Sequence, residues 1–171
     1  MPVAPDFRIT KFSVDNVKRS GSSVGRNFYW KLYSVENYYR VIIHSVLSAQ
    51  LGRNWWLIAA DPEIQKKAKA FKKRYLAHPW YTQQGGHDIY YIDLNDLNEI
   101  ARANSNLLEP IINDVDQWIL RVETIRLPRN VIAHMNFPNN TDQSRINILY
   151  QDFRHLINLI GQNPTFVPII P

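Results

Sequence analysis

Between Phe28 and Ala49, apolar or small residues fall at Phe28, Leu32, Val35, Tyr39, Ile42, Val46 and Ala49, in alternating steps of four and three. A helix of about 3.6 residues per turn gathers that spacing on one face. The chain is therefore predicted to contain one long helix whose continuous stripe faces a core or a partner helix. Gly52 follows as a C-terminal cap.

Similar signals recur downstream. Asp61-Pro62 pairs an N-cap with a proline at the first helical position, and Ile64, Ala68, Phe71 and Tyr75 share a face behind it. Asp93 to Asp96 caps a short helix ending near Asn104. Another helix is predicted from Ser105, with Pro110 in its first turn or so and a stripe through Leu108, Ile111, Val115, Trp118, Val122 and Ile125. Pro128 then interrupts or kinks it directly before Arg129. A last helix starts near Thr141, buries Ile146, Leu149, Phe153, Leu156 and Ile160, and stops at Gly161.

These elements predict an all-α protein, an antiparallel bundle of four to five helices over residues 27–161. Residues 1–26 read as an N-terminal arm, with a short strand or extended piece over Phe7 to Val14 and a flexible linker over Lys18 to Gly25. Residues 162–171 read as an extended C-terminal tail, apolar enough to pack onto a neighbouring element or a second subunit.

With 171 residues, 45% of them hydrophobic, the chain is long enough for one domain with a real core. It has no cysteine, which excludes disulfides, thiol chemistry and a Cys-ligated zinc site. No apolar run approaches the roughly 18 residues of a membrane span. The N-terminus lacks the basic-then-apolar shape of a secretion signal, so a cytoplasmic location is expected. A net charge of +5 and a pI of about 9.5 suit a protein that meets polyanions, and suit plain solubility as well.

Against this background one hexapeptide carries chemistry: Arg129-Asn130-Val131-Ile132-Ala133-His134. Arginine clamps phosphate bidentately, and histidine moves protons near neutral pH. Five residues along an unbroken helix point roughly 140° apart. Both groups can therefore serve one phosphate only through a helix break between them or pairing across a two-fold axis. The structural alternative is an arginine paired with an acid at a helix end and a half-buried histidine on the next turn.

Three further groups are candidates. Glu36 and Arg40 sit one turn apart, either as a surface pair or as a polar couple facing the Arg129/His134 region. Lys66, Lys67, Lys69, Lys72, Lys73 and Arg74 place six cations within nine residues, suited to tracking a phosphate backbone or simply to solvation. The aromatics between Ala77 and Ile92, in a loop whose end reads as briefly extended, can stack on bases or seal the core. His78 and His87 have no acidic or histidine cluster at ligand spacing, and no metal site is predicted.

The chain resembles the HEPN superfamily of all-helical domains, found in toxin–antitoxin pairs, RNA-guided defence effectors and RNA-processing enzymes. The family hallmark is an Arg, a polar residue, three further positions and a His, and Arg129-Asn130-x-x-Ala133-His134 fits it. Glu36-Asn37-Tyr38-Tyr39-Arg40 looks like the Glu-x-x-x-Arg of the first helix in one branch. Gly52 to Trp56 and Tyr91 to Leu97 resemble that branch's connections, so the likeness spans about residues 27–160. One departure is Asn136, where a toxin branch silenced by nucleotide transfer has a tyrosine.

The resemblance implies a metal-independent endoribonuclease without cofactors, acting as a homodimer, with RNA as substrate and an antitoxin protein among its partners. His134 from each chain would supply acid and base, and Arg129 the charge facing the phosphorane. Asn130 would orient one of these groups or cap the helix start. The products would be a 2′,3′-cyclic phosphate and a 5′-hydroxyl. Two alternatives remain: a non-catalytic HEPN module binding RNA, nucleotide or a partner protein, and a structural helical dimerisation protein whose hexapeptide is coincidental.

Overall fold

In the computed structural model, which describes residues 4–171, every regular element among those residues is helical. The long stripe forms as expected: α2 (Trp30–Leu51) buries Leu32, Val35, Tyr39, Ile42 and Val46. Gly52 ends it at a φ of 77°, a left-handed conformation that favours glycine. α2 packs against α9 (Asn140–Ile160), with Tyr39 edge-on to Phe153 at 5.9 Å between ring centroids. The short α3 (Trp55–Ala59) carries the buried Trp55 and Trp56 into the same core.

The N-terminal region departs from expectation. Of the predicted arm, residues 1–3 lie outside the described residues, and the rest is mostly helical. Phe7–Ile9 is a single 3-10 turn rather than a strand. Val14–Val24 forms α1, where the composition predicts a linker. A π-helical turn, Gly25–Tyr29, then joins α1 to α2. The serines that make this stretch read as a linker have structural work: Ser13 caps α1, and buried Ser20 and Ser23 accept the backbone N–H groups of Phe7 and Ala4. Composition alone cannot separate a capping or docking serine from a flexible one.

α4 (Pro62–Leu76) starts at the Asp61 cap, as the sequence predicts. The segment after it ends in a 3-10 turn, Asp88–Tyr91, rather than an extended piece. α5 (Leu94–Ala103) opens on a complete capping box made by Asp93 and Asp96. The single helix predicted from Ser105 is divided into α6 (Ser105–Ile112), α7 (Val115–Glu123) and α8 (Arg126–Ala133). The first break falls at Asp114, which is left-handed at φ 60° and caps α7 with its side chain, while Glu109 accepts the N–H groups of Asp114 and Val115. These contacts replace the helical bonds, so the stripe stays buried across the break and does not report it.

The tail makes two turns, at Gly161–Gln162 and Pro164–Thr165, and then returns to its own chain without a regular element. Phe166 packs on the core, and the Ile169 N–H donates to Ser45 Oγ at 2.8 Å. No helix among the described residues is long and apolar enough to cross a membrane.

Candidate active site

The hexapeptide lies on α8, and Pro128 does not separate its members. Pro128 is buried in the first turn of that helix, where a missing N–H leaves no bond unmade. The predicted break directly before Arg129 is instead at Thr124 and Ile125, ahead of α8. Arg129 therefore lies inside one short, unbroken helix, and His134 is the C-cap residue at its end. Asn130 sits inside it rather than capping its start.

Arg129 is anchored from the opposite wall. Its Nε lies 3.6 Å from Glu36 Oε2, while Glu36 Oε1 takes a 2.5 Å bond from Arg40 Nη2. Arg40 is buried and donates also to the carbonyls of Ile89 and Ile92, at 3.2 and 3.0 Å. One carboxylate thus stands between two guanidiniums, leaving one net positive charge, carried by the more exposed Arg129. Glu36 and Arg40 are therefore a polar couple facing the motif rather than a plain surface pair.

Two cavities meet at Arg129. A groove of about 910 Å³ runs between α1, the π turn, α2 and the end of α8; Tyr29, Tyr33, Tyr90 and Met135 line it, with Glu36, Arg40 and Arg129 as its charged groups. A recess of about 280 Å³ lies on the other side, lined by Arg126, Arg129 and Asn130 together with Asp93, Leu94 and Asn95. His134 lines neither. Its exposed side chain has no hydrogen bond to any described residue.

The end of α8 is built unusually. Met135 is left-handed at φ 60°, where glycine is the ordinary occupant. Its N–H donates to the Ile132 carbonyl, and the Asn136 N–H to that of Val131. The Asn136 side chain closes the turn, donating to the His134 carbonyl and accepting from Arg8 of the N-terminal segment at 3.0 Å.

The lysine run divides. Lys67 reaches Asp93 and Asp96 at 2.8 and 2.6 Å, and Lys72 reaches Asp88 at 2.7 Å, so both fasten the 88–96 segment to α4. Burial opposes the Lys67 charge, but the two carboxylates raise its pKa overall. Lys66 lies 3.5 Å from Glu63 in an exposed pair. Lys69, Lys73 and Arg74 have no carboxylate partner among the described residues and face solvent.

Sequence reasoning missed one cluster altogether. His87, which has no acidic or histidine cluster at ligand spacing in the sequence, lies with its ring centroid 4.8 Å from that of buried His44 and stacks on Trp55 at 5.3 Å. The Trp55 indole donates to His44 Nδ1, and the Ile89 N–H to His87 Nδ1. Burial, with His87 beside it, pushes His44 down to about 4, and burial lowers His87 too. No group of three or more His, Asp or Glu side chains among the described residues is arranged to hold a metal. Gly21 and Gly25, one turn apart on the groove wall, and Arg126, one turn before Asn130, were the available sequence signals for the two cavities.

Comparison of the chain with protein-family models, with curated proteins and with solved structures finds no match in any of the three.

Proposed function

We propose that this protein is a HEPN-type, metal-independent endoribonuclease that cuts single-stranded RNA at a composite site on a homodimer. The observation that carries the reading is the position of Arg129. It is held by the Glu36–Arg40 pair at the junction of two cavities, on the helix that ends in exposed His134. With Arg129 inside α8 and His134 at its C-cap, five positions on, pairing across a two-fold axis is the proposed way to bring imidazole and guanidinium to one phosphate.

In the proposed reaction one His134 takes the proton from the 2′-hydroxyl as its oxygen attacks phosphorus. The partner copy's imidazole gives a proton to the departing 5′-oxygen. Arg129 faces the charge that grows on the phosphorane. The products are a 2′,3′-cyclic phosphate and a 5′-hydroxyl. Service as a toxin or defence effector in the cytoplasm, with an antitoxin as partner, belongs to this same proposal.

A labelled single-stranded RNA incubated in EDTA tests it. Wild type is expected to cut, and His134→Ala to lose about 10²–10⁴-fold in rate while still binding. Arg129→Ala is expected to lose both binding and cleavage. Cleavage by His134→Ala at the wild-type rate removes the nuclease reading. One observation favours a non-catalytic RNA- or nucleotide-binding module instead: the groove beside Arg129 is not lined by His134.

A further inference from the structure

The large groove and the small recess differ in chemistry, and Arg129 divides them. Apolar and aromatic surface dominates the groove, with Tyr29 and Tyr33 59% and 64% exposed one helical turn apart. The recess is smaller and mixes polar with apolar surface, with Arg126 beside Arg129 and, on its other wall, the Asp93 carboxylate that pairs with Lys67. Between them the Arg40–Glu36–Arg129 triad leaves one positive charge unmatched. Stacking rings on one side of an arginine, with a second arginine beyond it, match a ligand that alternates flat aromatic groups with single negative charges.

We propose that the groove is a nucleobase subsite. It holds an unpaired base stacked on Tyr29 and Tyr33, with the adjoining phosphate on Arg129 and the next phosphate towards Arg126. The assignment rests on the RNA reading above and adds to it where the strand lies. A volume of about 910 Å³ is at the top of the range of roughly 300–1,000 Å³ for ligand pockets. That is room for a nucleotide and part of its neighbour. Base–aromatic stacking tolerates any sequence because every base has a flat face.

Two details of the chain support a groove kept open. Gly21 and Gly25 form part of its wall, and a Cβ at either would meet nothing within 4 Å. Larger residues are therefore accommodated by the backbone, yet the wall is bare. At the other end Met135 keeps a left-handed backbone and places an 86%-exposed side chain on the rim. Backbone strain of this kind concentrates at ligand-binding positions.

The test uses two probes on the full chain: a 2′-O-methyl oligonucleotide, which lacks the attacking hydroxyl, and the same backbone without bases. Wild type is expected to bind the base-bearing probe at least about ten-fold more tightly, in line with stacking on one or two rings. Gly21→Trp, which fills the groove from its wall, is expected to abolish that difference, and Tyr33→Ala to reduce it. Equal affinity for the two probes overturns the subsite, as does unchanged discrimination in Gly21→Trp. A Gly21→Trp protein that falls from dimer to monomer overturns it as well, because the groove is then where a second copy sits. If Gly21→Trp does not fold, Tyr29→Ala with Tyr33→Ala decides, and full discrimination in that double variant overturns the subsite.

Cleavage of unmodified RNA, measured in parallel, separates this proposal from the nuclease reading. Cutting without base discrimination removes the subsite and leaves the nuclease. Base discrimination without cutting supports the subsite and removes the nuclease. Neither binding nor cutting removes both.

Discussion

Glu36 Oε2 lies 3.6 Å from Arg129 Nε, so the long α2 and the short α8 meet through charge at the mouth of the groove. The carboxylate has a second and closer partner in Arg40, and the two contacts have different jobs. Arg40 is buried and held by two carbonyls, so its bond fixes Glu36. Arg129 is a third exposed, so its contact orients a charge that remains available.

Glu36→Gln therefore costs more stability than Arg129→Ala. It leaves Arg40 buried without a counter-charge, and breaking a buried pair costs about 3–5 kcal/mol. The partial exposure of Glu36 puts the expected loss near the lower bound. Losing Arg129 costs less than about 1 kcal/mol, as for other water-exposed pairs. Chemical denaturation of both variants checks this, and equal losses would mean that Arg129, too, is a structural arginine.

Acid sensitivity should come first from the His44–His87 cluster. His44 titrates at about 4 in the folded protein, below its ordinary 6.5, and His87 is lowered as well. Between those values the unfolded chain binds protons that the folded chain refuses, so stability rises with pH across that window. Above it both states are neutral and the cluster contributes no pH dependence. As pH falls from 6.5 to 4, stability is expected to drop by up to about 1.4 kcal/mol per pH unit through His44, with His87 acting in the same direction. His44→Gln keeps an acceptor for the Trp55 indole and removes the titration. A melting-temperature series that stays as steep in that variant assigns the acid sensitivity elsewhere.

Much of the helical architecture is legible in the sequence, because apolar spacing records what a core requires of each face. The stripe of α2, the Asp61 and Asp93 caps and the Gly52 stop all appear at or near the predicted residues. Breaks are less legible. Asp114 divides a stripe that remains continuous, and the segment through Ser20 and Ser23 is helical where its composition suggests a linker. The Glu36–Arg40 pair is visible as an i, i+4 spacing, but its approach to Arg129 depends on how α8 lies against α2. The His44–His87 pair and the groove join residues from distant segments, and periodicity carries no trace of such contacts.

The lysine run separates structural from available charge. Lys67→Ala releases both capping carboxylates of α5 and is expected to cost about 1–2 kcal/mol, between exposed and buried pair values. RNA binding by the same variant is expected to keep its salt dependence. Lys69→Ala with Lys73→Ala should do the reverse, leaving stability nearly unchanged and lowering the slope of log affinity against log salt by about 0.7 for each phosphate no longer neutralised. A salt titration that responds to Lys67 and not to Lys69 and Lys73 would place the RNA on the opposite side of α4.

The proposed composite site makes a quantitative demand on mixed subunits. If one reaction needs an imidazole from each chain, a dimer with one His134→Ala subunit is inactive even though its other subunit is intact. After subunits exchange in an equal mixture, random pairing leaves about a quarter of the dimers fully wild type. Activity per total dimer should fall to that fraction, and further addition of the variant should suppress it as the square of the wild-type share. Independent sites within each chain would give about one half and a linear decline. The experiment holds RNA at saturation and confirms exchange with a size-tagged subunit. A linear decline would place acid and base within one chain, and His134 would then need a second proton carrier near Arg129. Glu36, 3.6 Å from Arg129 Nε, would then be the candidate for that role.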